Sequence, residues 1–180
     1  TALILGGNGK IGTHATKAFK AAGWDVRQYD RKCDNMREAA QGVDVIINGL
    51  NPPNYHNWAE IIPPITAQVI DAAKHSGATV IVPGNVYNFS AEGGRWDENT
   101  PHQPVSRKGR IRAEMEATYR ALGVRTVILR AGNFIDPDRN QDIFSLMIMK
   151  DRKGRKISFP ADPNTTQAYC WLPDWAKAAV

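Results

Sequence analysis

Three glycines near the N-terminus, at positions 6, 9 and 12, have the spacing that most clearly suggests chemistry in this sequence. They follow the short apolar run 2–5 and precede an apolar pattern typical of a helix. Glycines so placed permit a tight turn, close approach of the backbone to a pyrophosphate, and close packing of the helix. The N–H groups and positive dipole end of that helix would hold the anion. A turn that merely joins a strand to a helix is the competing interpretation. The stretch predicts a dinucleotide-binding loop with cofactor contacts from Gly6, Gly9, Lys10, Ile11 and Gly12.

An acidic residue after the second apolar run bears on which dinucleotide is bound. The predicted strand 24–30 ends in Asp30, near the spacing expected for a carboxylate that accepts hydrogen bonds from an adenosine ribose. Such a carboxylate favours NAD because it repels the 2′-phosphate of NADP. Arg31 and Lys32 follow at once and could pair with that phosphate, which leaves NADP open. We therefore expect NAD, with Asp30 and Arg31 beside its ribose.

Strand and helix patterns alternate along the chain, which predicts a Rossmann-like three-layer α/β fold with a mostly parallel sheet. The interval 31–42 is too short for the helix, strand and helix that a full Rossmann half places there. One strand of the usual set is therefore expected to be missing or vestigial. A long helix through 62–73 is expected to have Pro63 and Pro64 near its start or at a kink. Further strands are predicted at 43–48, 79–82 and 125–130, with short candidates at 157–159 and 168–172.

Turn-rich loops follow the predicted strands at the edge where such sheets bind ligands. The loop after strand 43–48 supplies Asn48, Gly49 and Leu50 as expected cofactor contacts, and the loop after strand 79–82 supplies Pro83 and Asn85. We expect one NAD(P)-binding domain over residues 1–180. Its substrate-side portion, from about residue 131 to residue 180, is expected to be short or truncated.

Composition and charge limit the class of protein. The net charge of +5 is modest, and the basic run 150–156 is more simply a solvated loop than a nucleic-acid patch. No apolar run approaches the roughly 20 residues of a membrane span, and no signal peptide precedes the first strand. Cys33 and Cys170 form neither a CxxC pair nor a disulfide framework, and the four histidines lack metal-ligand spacing. We expect a cytoplasmic protein with no bound metal and no membrane or nucleic-acid partner.

In their order along the chain, these motifs resemble the extended and atypical short-chain dehydrogenase/reductase superfamily, particularly nucleotide-sugar epimerase/dehydratase-like proteins. The resemblance spans nearly the whole sequence and implies NAD(P), a small-molecule substrate such as a sugar or carbonyl compound, and an epimerase or oxidoreductase activity. Paired long helices form dimer interfaces in that family, and helices predicted at 58–75 and 107–122 would allow a homodimer. The matching segments are the GxxGxxG of Gly6, Gly9 and Gly12, the GvDvVi-like strand 42–46, Val86-Tyr87, the LRpxn-like segment 129–133, and 171–174.

The residues that carry catalysis in that family are replaced here. The family uses a tyrosine and a lysine spaced YxxxK, with a serine or threonine three residues before the VY valine. Aligned on YGxxK, this sequence has Lys108 in place of the tyrosine and Arg112 in place of the lysine, and Pro83 stands at the hydroxyl position. A frame shifted by two residues offers Ser106 and Arg110 instead.

Three candidates for catalysis remain. Arg112 could hold a nicotinamide ribose through its fixed donors, Lys108 could act as an acid or base, and Tyr87 could supply a phenol at the ligand end of its strand. His102, in a loop between two prolines, is expected to face solvent. Two hypotheses follow: an enzyme that works through replaced groups, or a non-catalytic dinucleotide-binding redox sensor.

Overall fold

The computed structural model describes residues 1–52, 56–92, 94–139, 142–149, 159, 162 and 164–180. The basic run 150–156 and residues 157 and 158 of a predicted strand lie outside this set.

Five parallel strands form the central sheet. The apolar run after Thr1 becomes a fully buried central strand, because parallel strands flanked by helices bury both of their faces. The sheet order is β2-β1-β3-β4-β5, which confirms the predicted Rossmann-like α/β fold. The strands are β1 (Ala2–Leu5), β2 (Val26–Tyr29), β3 (Val45–Asn48), β4 (Thr79–Gly84) and β5 (Thr126–Arg130).

Helices cover both faces of this sheet. Alternate residues of β1 point to opposite faces, so Leu3 and Leu5 join one apolar core while Ala2 and Ile4 join another. The first core packs against α2, α3 and α4, and the second against α1 and α5. These helices are α1 (Lys10–Ala21), α2 (Met36–Ala39), α3 (Trp58–Ser76), α4 (Arg107–Ala121) and α5 (Leu172–Ala178).

The sheet is one strand short on the β2 side. Only the short helix α2 lies between β2 and β3, and the Asn35 side chain caps it by accepting hydrogen bonds from the Arg37 and Glu38 N–H groups. In the usual Rossmann order a further strand lies outside the one equivalent to β2. Within the described residues β2 is the edge, as the length of the interval predicts.

Glycines follow the last residues of α1 and α3. Gly23 and Gly77 have φ values of 82° and 74°, a conformation that glycine adopts without strain. Helix α3 begins at Trp58, so Pro63 and Pro64 lie inside it, in its second turn.

A smaller unit follows β5. Strands β6 (Asn133–Ile135) and β7 (Tyr169–Trp171) pair in parallel, and a π-helical turn covers Phe144–Ile148. Pro173 lies in the first turn of α5, as expected. None of the helices in the described ranges has the length and apolarity needed to cross a bilayer.

Candidate functional site

The glycine turn between β1 and α1 is built by close backbone contacts. Gly6 has a φ of 74°, and the Gly9 N–H donates to its carbonyl oxygen over 2.8 Å. A Cβ on Gly12 would lie 2.2 Å from the same oxygen, so only glycine allows α1 to pack this closely. The tight turn and close helix packing predicted from the spacing are both present, and contact with a pyrophosphate stays a prediction.

The start of α1 offers donors to an anion. Its N-cap, Gly9, has no side chain to accept hydrogen bonds from the first turn, and that turn holds no acidic residue. Unpaired N–H groups and the positive end of the helix dipole together attract negative charge. The arrangement suits a phosphate group.

A cleft of about 700 Å³ extends from this turn across the carboxyl ends of β3 and β4. Of the residues that the sequence predicts for the site, the cleft brings together the following: Gly9, Lys10, Ile11, Asn48, Gly49, Leu50, Pro83, Asn85, Tyr87 and Arg112. Gly6 and Gly12 shape the turn behind it. Among the described residues Asp30, Arg31 and Lys108 do not line this cleft.

The turn after β2 is exposed and rich in carboxylates. The Asp30 carboxylate accepts a hydrogen bond from the Lys32 N–H over 2.9 Å, and the Asp30 N–H donates to the Asp34 carboxylate over 2.7 Å. Burial, followed by the charges of Asp34 and Asp30, raises the pKa of Tyr29. Two carboxylates, Asp30 and Asp34, thus lie in one exposed turn with the cations Arg31 and Lys32, so the preference for NAD over NADP stays a prediction.

Arg112 is the buried cation of the cleft, with 9% of its surface exposed. Its Nη2 donates to the Pro83 carbonyl oxygen over 2.5 Å, which ties α4 to the end of β4. Its Nε is buried and has no hydrogen-bond partner among the described residues. Burial lowers the pKa of this guanidinium, while Glu116 opposes the shift. A buried donor without a partner is costly, so this site fits a ligand oxygen.

Lys108 and Tyr87 flank this position. The Lys108 ammonium lies 5.3 Å from the centroid of the Trp58 ring, and the Arg112 guanidinium lies 5.8 Å from the same centroid, both within cation–π range. Tyr87 lines the cleft with 38% of its surface exposed. The structure therefore brings two cations to the same aromatic ring beside the cleft.

A buried charge cluster holds the Tyr87 loop, and sequence reasoning missed it. The Glu116 carboxylate is fully buried and accepts hydrogen bonds from both terminal nitrogens of Arg130, over 2.5 and 3.0 Å. Arg130 also donates to the Asn85 carbonyl oxygen over 2.8 Å, so the cluster fixes the loop that borders the cleft.

His102 belongs to the same cluster, so the prediction that it faces solvent is wrong. Its side chain is only 19% exposed, and its Nε2 lies 3.6 Å from the Glu116 carboxylate. The ring packs edge-on against Phe89. Burial lowers the pKa of His102, against the opposing charge of Glu116. The tertiary contact with Arg130, whose Nη2 lies 3.3 Å from the His102 Nε2, draws this loop residue inward, and sequence spacing cannot show it.

A segment after β6, residues 136–139, lies against α1. The Asp136 carboxylate lies 2.9 Å from the His14 Nε2, and the Lys17 ammonium donates to the Asp138 carboxylate over 2.5 Å. Arg139 donates to the Asn8 carbonyl oxygen over 2.8 Å and to the Thr13 hydroxyl over 3.0 Å, and it lines the cleft. The sequence pattern gave no signal for these contacts, because the partners lie more than a hundred residues apart. The described ranges contain no group of three or more His, Cys, Asp or Glu placed to hold a metal ion.

No protein-family model matches the sequence, and no curated protein matches it either. Solved structures do match. MoeE5 in complex with UDP-glucuronic acid and NAD superposes with a TM-score of 0.79 at 17% identity, over 99% of this chain and 70% of that one. The NAD-dependent NDP-hexosamine 5,6-dehydratase TunA gives 0.77 at 15% identity, over 99% and 70%. UDP-glucose 4-epimerase from Thermus thermophilus, in complex with NAD, gives 0.73 at 18% identity, over 99% and 72%. The chain thus has the Rossmann-like fold that these NAD-binding proteins share.

Proposed function

We propose that this chain binds NAD in the cleft and is an oxidoreductase of the epimerase/dehydratase-like type that acts on a small molecule. The observation that carries the proposal is that one cleft joins the glycine turn to the unpartnered Nε–H of Arg112. The first feature fits a pyrophosphate and the second fits a ribose hydroxyl. The solved structures with the same fold support this assignment, since two of them contain NAD and one of these also contains a UDP-sugar acid.

The chain's own residues would divide the binding of NAD. The first turn of α1, with Gly9 and Lys10, would hold the pyrophosphate, Asp30 the adenosine ribose, and Arg112 the nicotinamide ribose. The cofactor would supply a hydride acceptor and donor. Loops after β3 and β4, with Trp58 on α3, would exclude water from the substrate end of the cleft.

Tyr87 is the candidate for proton transfer. It lines the cleft, and its phenol interacts electrostatically with the Arg112 guanidinium. A positive charge nearby stabilises a phenolate, the role that lysine has beside the usual tyrosine. Arg112 would therefore serve two purposes: binding the ribose and assisting Tyr87.

A redox sensor is the second candidate, and the replaced residues favour it. The resemblance predicts Pro83, Lys108 and Arg112 in the places of the hydroxyl, tyrosine and lysine, in which case the usual proton relay would not be reproduced. A protein that binds NAD tightly without turnover would pass the redox state to a partner. The predicted homodimer would be compatible with either function.

The first experiment is a titration with NADH and then NADPH, followed by tryptophan quenching and energy transfer to the reduced nicotinamide. We expect micromolar binding of NADH that Gly9→Trp abolishes. Gly94→Trp is the matched control, because Gly94 is exposed and has no described neighbour within 4 Å of a Cβ position. If neither dinucleotide binds, the proposal is wrong.

A second experiment separates the two functions. NADH oxidation is followed with UDP-sugars, aldehydes and ketones, and any turnover is tested for loss in Tyr87→Phe. Turnover that depends on Tyr87 would support the enzyme, whereas tight binding without turnover would support the sensor. Asp30→Ala should reduce the preference for NADH over NADPH. An unchanged preference would remove Asp30 from the site.

A further inference from the structure

Residues 136–139, which we call the phosphate strap, place a cation at the glycine turn. Two of its carboxylates are anchored on α1, Asp136 by His14 over 2.9 Å and Asp138 by Lys17 over 2.5 Å. Asp136 is almost fully buried, with 4% exposed, which fixes the strap on the helix. The strap therefore presents its last residue, Arg139, at a set position beside the N-terminus of α1.

The Arg139 guanidinium spans the turn from one side to the other. It donates from Nη1 to the carbonyl oxygen of Asn8, just before Gly9, and from Nη2 to the hydroxyl of Thr13, in the first turn of α1. A guanidinium has five N–H donors, so these two bonds leave others for a ligand. Arg139 also lines the cleft, as does Lys10 on the same turn.

The charge of Arg139 is available to an anion. The three carboxylates within three residues of it already have other partners: Asp136 contacts His14, Asp138 contacts Lys17, and Asp142 accepts from the Asp136 N–H and from Ser145. The Lys17 hydrogen bond and, to a smaller extent, the charge of Arg139 lower the pKa of Asp138. Guanidinium groups bind phosphate oxygens with parallel hydrogen bonds, which adds geometry to the electrostatic attraction of a helix N-terminus.

We propose that Arg139 is a phosphate-binding residue that positions the pyrophosphate of the dinucleotide on the glycine turn. This inference rests on the proposed NAD site and adds to it a contact from the opposite end of the chain. A sugar nucleotide also carries a pyrophosphate. The contacts of Arg139 with Asn8 and Thr13 place it at the cofactor end of the cleft, and we assign it to the cofactor.

The test compares ligands with and without phosphate on Arg139→Gln, which removes the guanidinium charge together with its bonds to Asn8 and Thr13. We expect the Kd for NADH and for ADP to rise about tenfold, the loss expected for a hydrogen bond to a charged group, while that for adenosine stays unchanged. The salt dependence of NADH binding should also weaken, because one cationic contact is lost.

The control is Lys17→Gln, which removes a different basic side chain that contacts the strap but leaves Arg139 in place. If Arg139 only ties the strap to the turn, both variants will lower the melting temperature similarly. They will also weaken the binding of NADH and of adenosine to the same extent, which overturns the proposal.

Weakened UDP binding with unchanged ADP binding would assign Arg139 to the substrate and overturn the cofactor assignment. If the unmodified protein binds NADH and Arg139→Gln binds it equally well, only this inference fails. If the unmodified protein binds none of the ligands, the proposed NAD site fails as well.

Discussion

Helices α1 and α4 are both packed through a glycine in their first turn, but their N-termini are capped differently. Each brings a glycine against the carbonyl of a loop that follows a strand: a Cβ on Gly12 would lie 2.2 Å from the Gly6 oxygen, and one on Gly109 would lie 2.1 Å from the Tyr87 oxygen. The first turn of α4 is capped by the Ser106 hydroxyl, which accepts from the Gly109 N–H over 3.0 Å. The N-cap of α1 offers no side chain.

Because of this difference, we expect α1 to bind its ligand through backbone groups and α4 to act through its side chains. At α1 the peptide groups themselves face the expected ligand, so glycine spacing is sufficient to reveal the site. At α4 the Gly109 N–H is already bonded to the Ser106 cap, and we expect the function to depend on which side chains the helix carries. The predicted replacement of a catalytic tyrosine and lysine by Lys108 and Arg112 would therefore change the chemistry while the fold remains.

The largest expected effect concerns the charge cluster under α4. Glu116→Ala leaves Arg130 half-buried without its carboxylate, and we expect a loss of about 3 kcal/mol in the free energy of unfolding. Urea denaturation measures it, with Glu114→Ala, exposed on the same helix, as a control expected to change stability by less than about 0.5 kcal/mol. A loss from Glu116→Ala no larger than that of the control would show that the cluster does not hold this region.

The next largest effect is expected at the two glycines that pack α1 and α4 against loop carbonyls. Gly12→Ala and Gly109→Ala each force backbone apart, with an expected cost of about 1–3 kcal/mol in unfolding free energy. Gly12→Ala should also weaken NADH binding strongly, whereas Gly109→Ala should act mainly on the Tyr87 loop and so on turnover. Gly94→Ala is the control without described neighbours near its Cβ position. Equal effects of the two variants on NADH affinity would remove the distinction between the helices.

Tyr119 of α4 is a fully buried phenol next to the end of β3, and its contribution to stability depends on pH. The Asn48 amide at the end of β3 donates to the Tyr119 hydroxyl of α4 over 3.2 Å, and burial raises the pKa of Tyr119 to about 12. The unfolded chain releases this proton near pH 10. The contribution is therefore complete below pH 10 and is lost as the pH rises towards 12.

At pH 11 the unfolding free energy of the unmodified protein, relative to Tyr119→Phe, should be about 1.4 kcal/mol lower than at pH 8. Denaturation of both proteins at the two pH values measures this, and the Phe variant cancels the titration of all other groups. A difference that does not change with pH would mean that Tyr119 ionises normally in the folded protein.

The smallest effects are expected from changes to the N-caps of α4 and α1. Ser106→Ala should cost about 1 kcal/mol of stability through loss of the α4 cap, with NADH affinity unchanged. Gly9→Asp adds a cap and a negative charge to α1, so it should weaken NADH binding while stability is kept or gains slightly. Thermal unfolding and NADH titration report the two effects. Tighter NADH binding by Gly9→Asp would contradict the assignment of the α1 N-terminus to an anion.

Local patterns predicted most of the fold and one side of the site. The roles of Gly6 and Gly12 could be predicted because they depend on backbone geometry between residues close in sequence. The missing strand could be predicted because the interval 31–42 is too short to contain it. Arg139 and the pair of Glu116 with Arg130 could not be found, because charged residues in loops and helices look solvated until the tertiary structure pairs them. Gly109 carried a usable signal: a glycine in the first turn of a helix often marks close packing.

The tie between Asn8 and Arg139 joins residues that are 131 positions apart. Closing a loop of that length costs entropy, so such contacts form after the local ones. During synthesis, α1 therefore emerges long before the segment that covers His14 and completes the glycine turn. We expect the first strands and helices to collapse early and the cofactor site to mature only in the last phase of folding, when NAD could bind and draw the chain towards its native state.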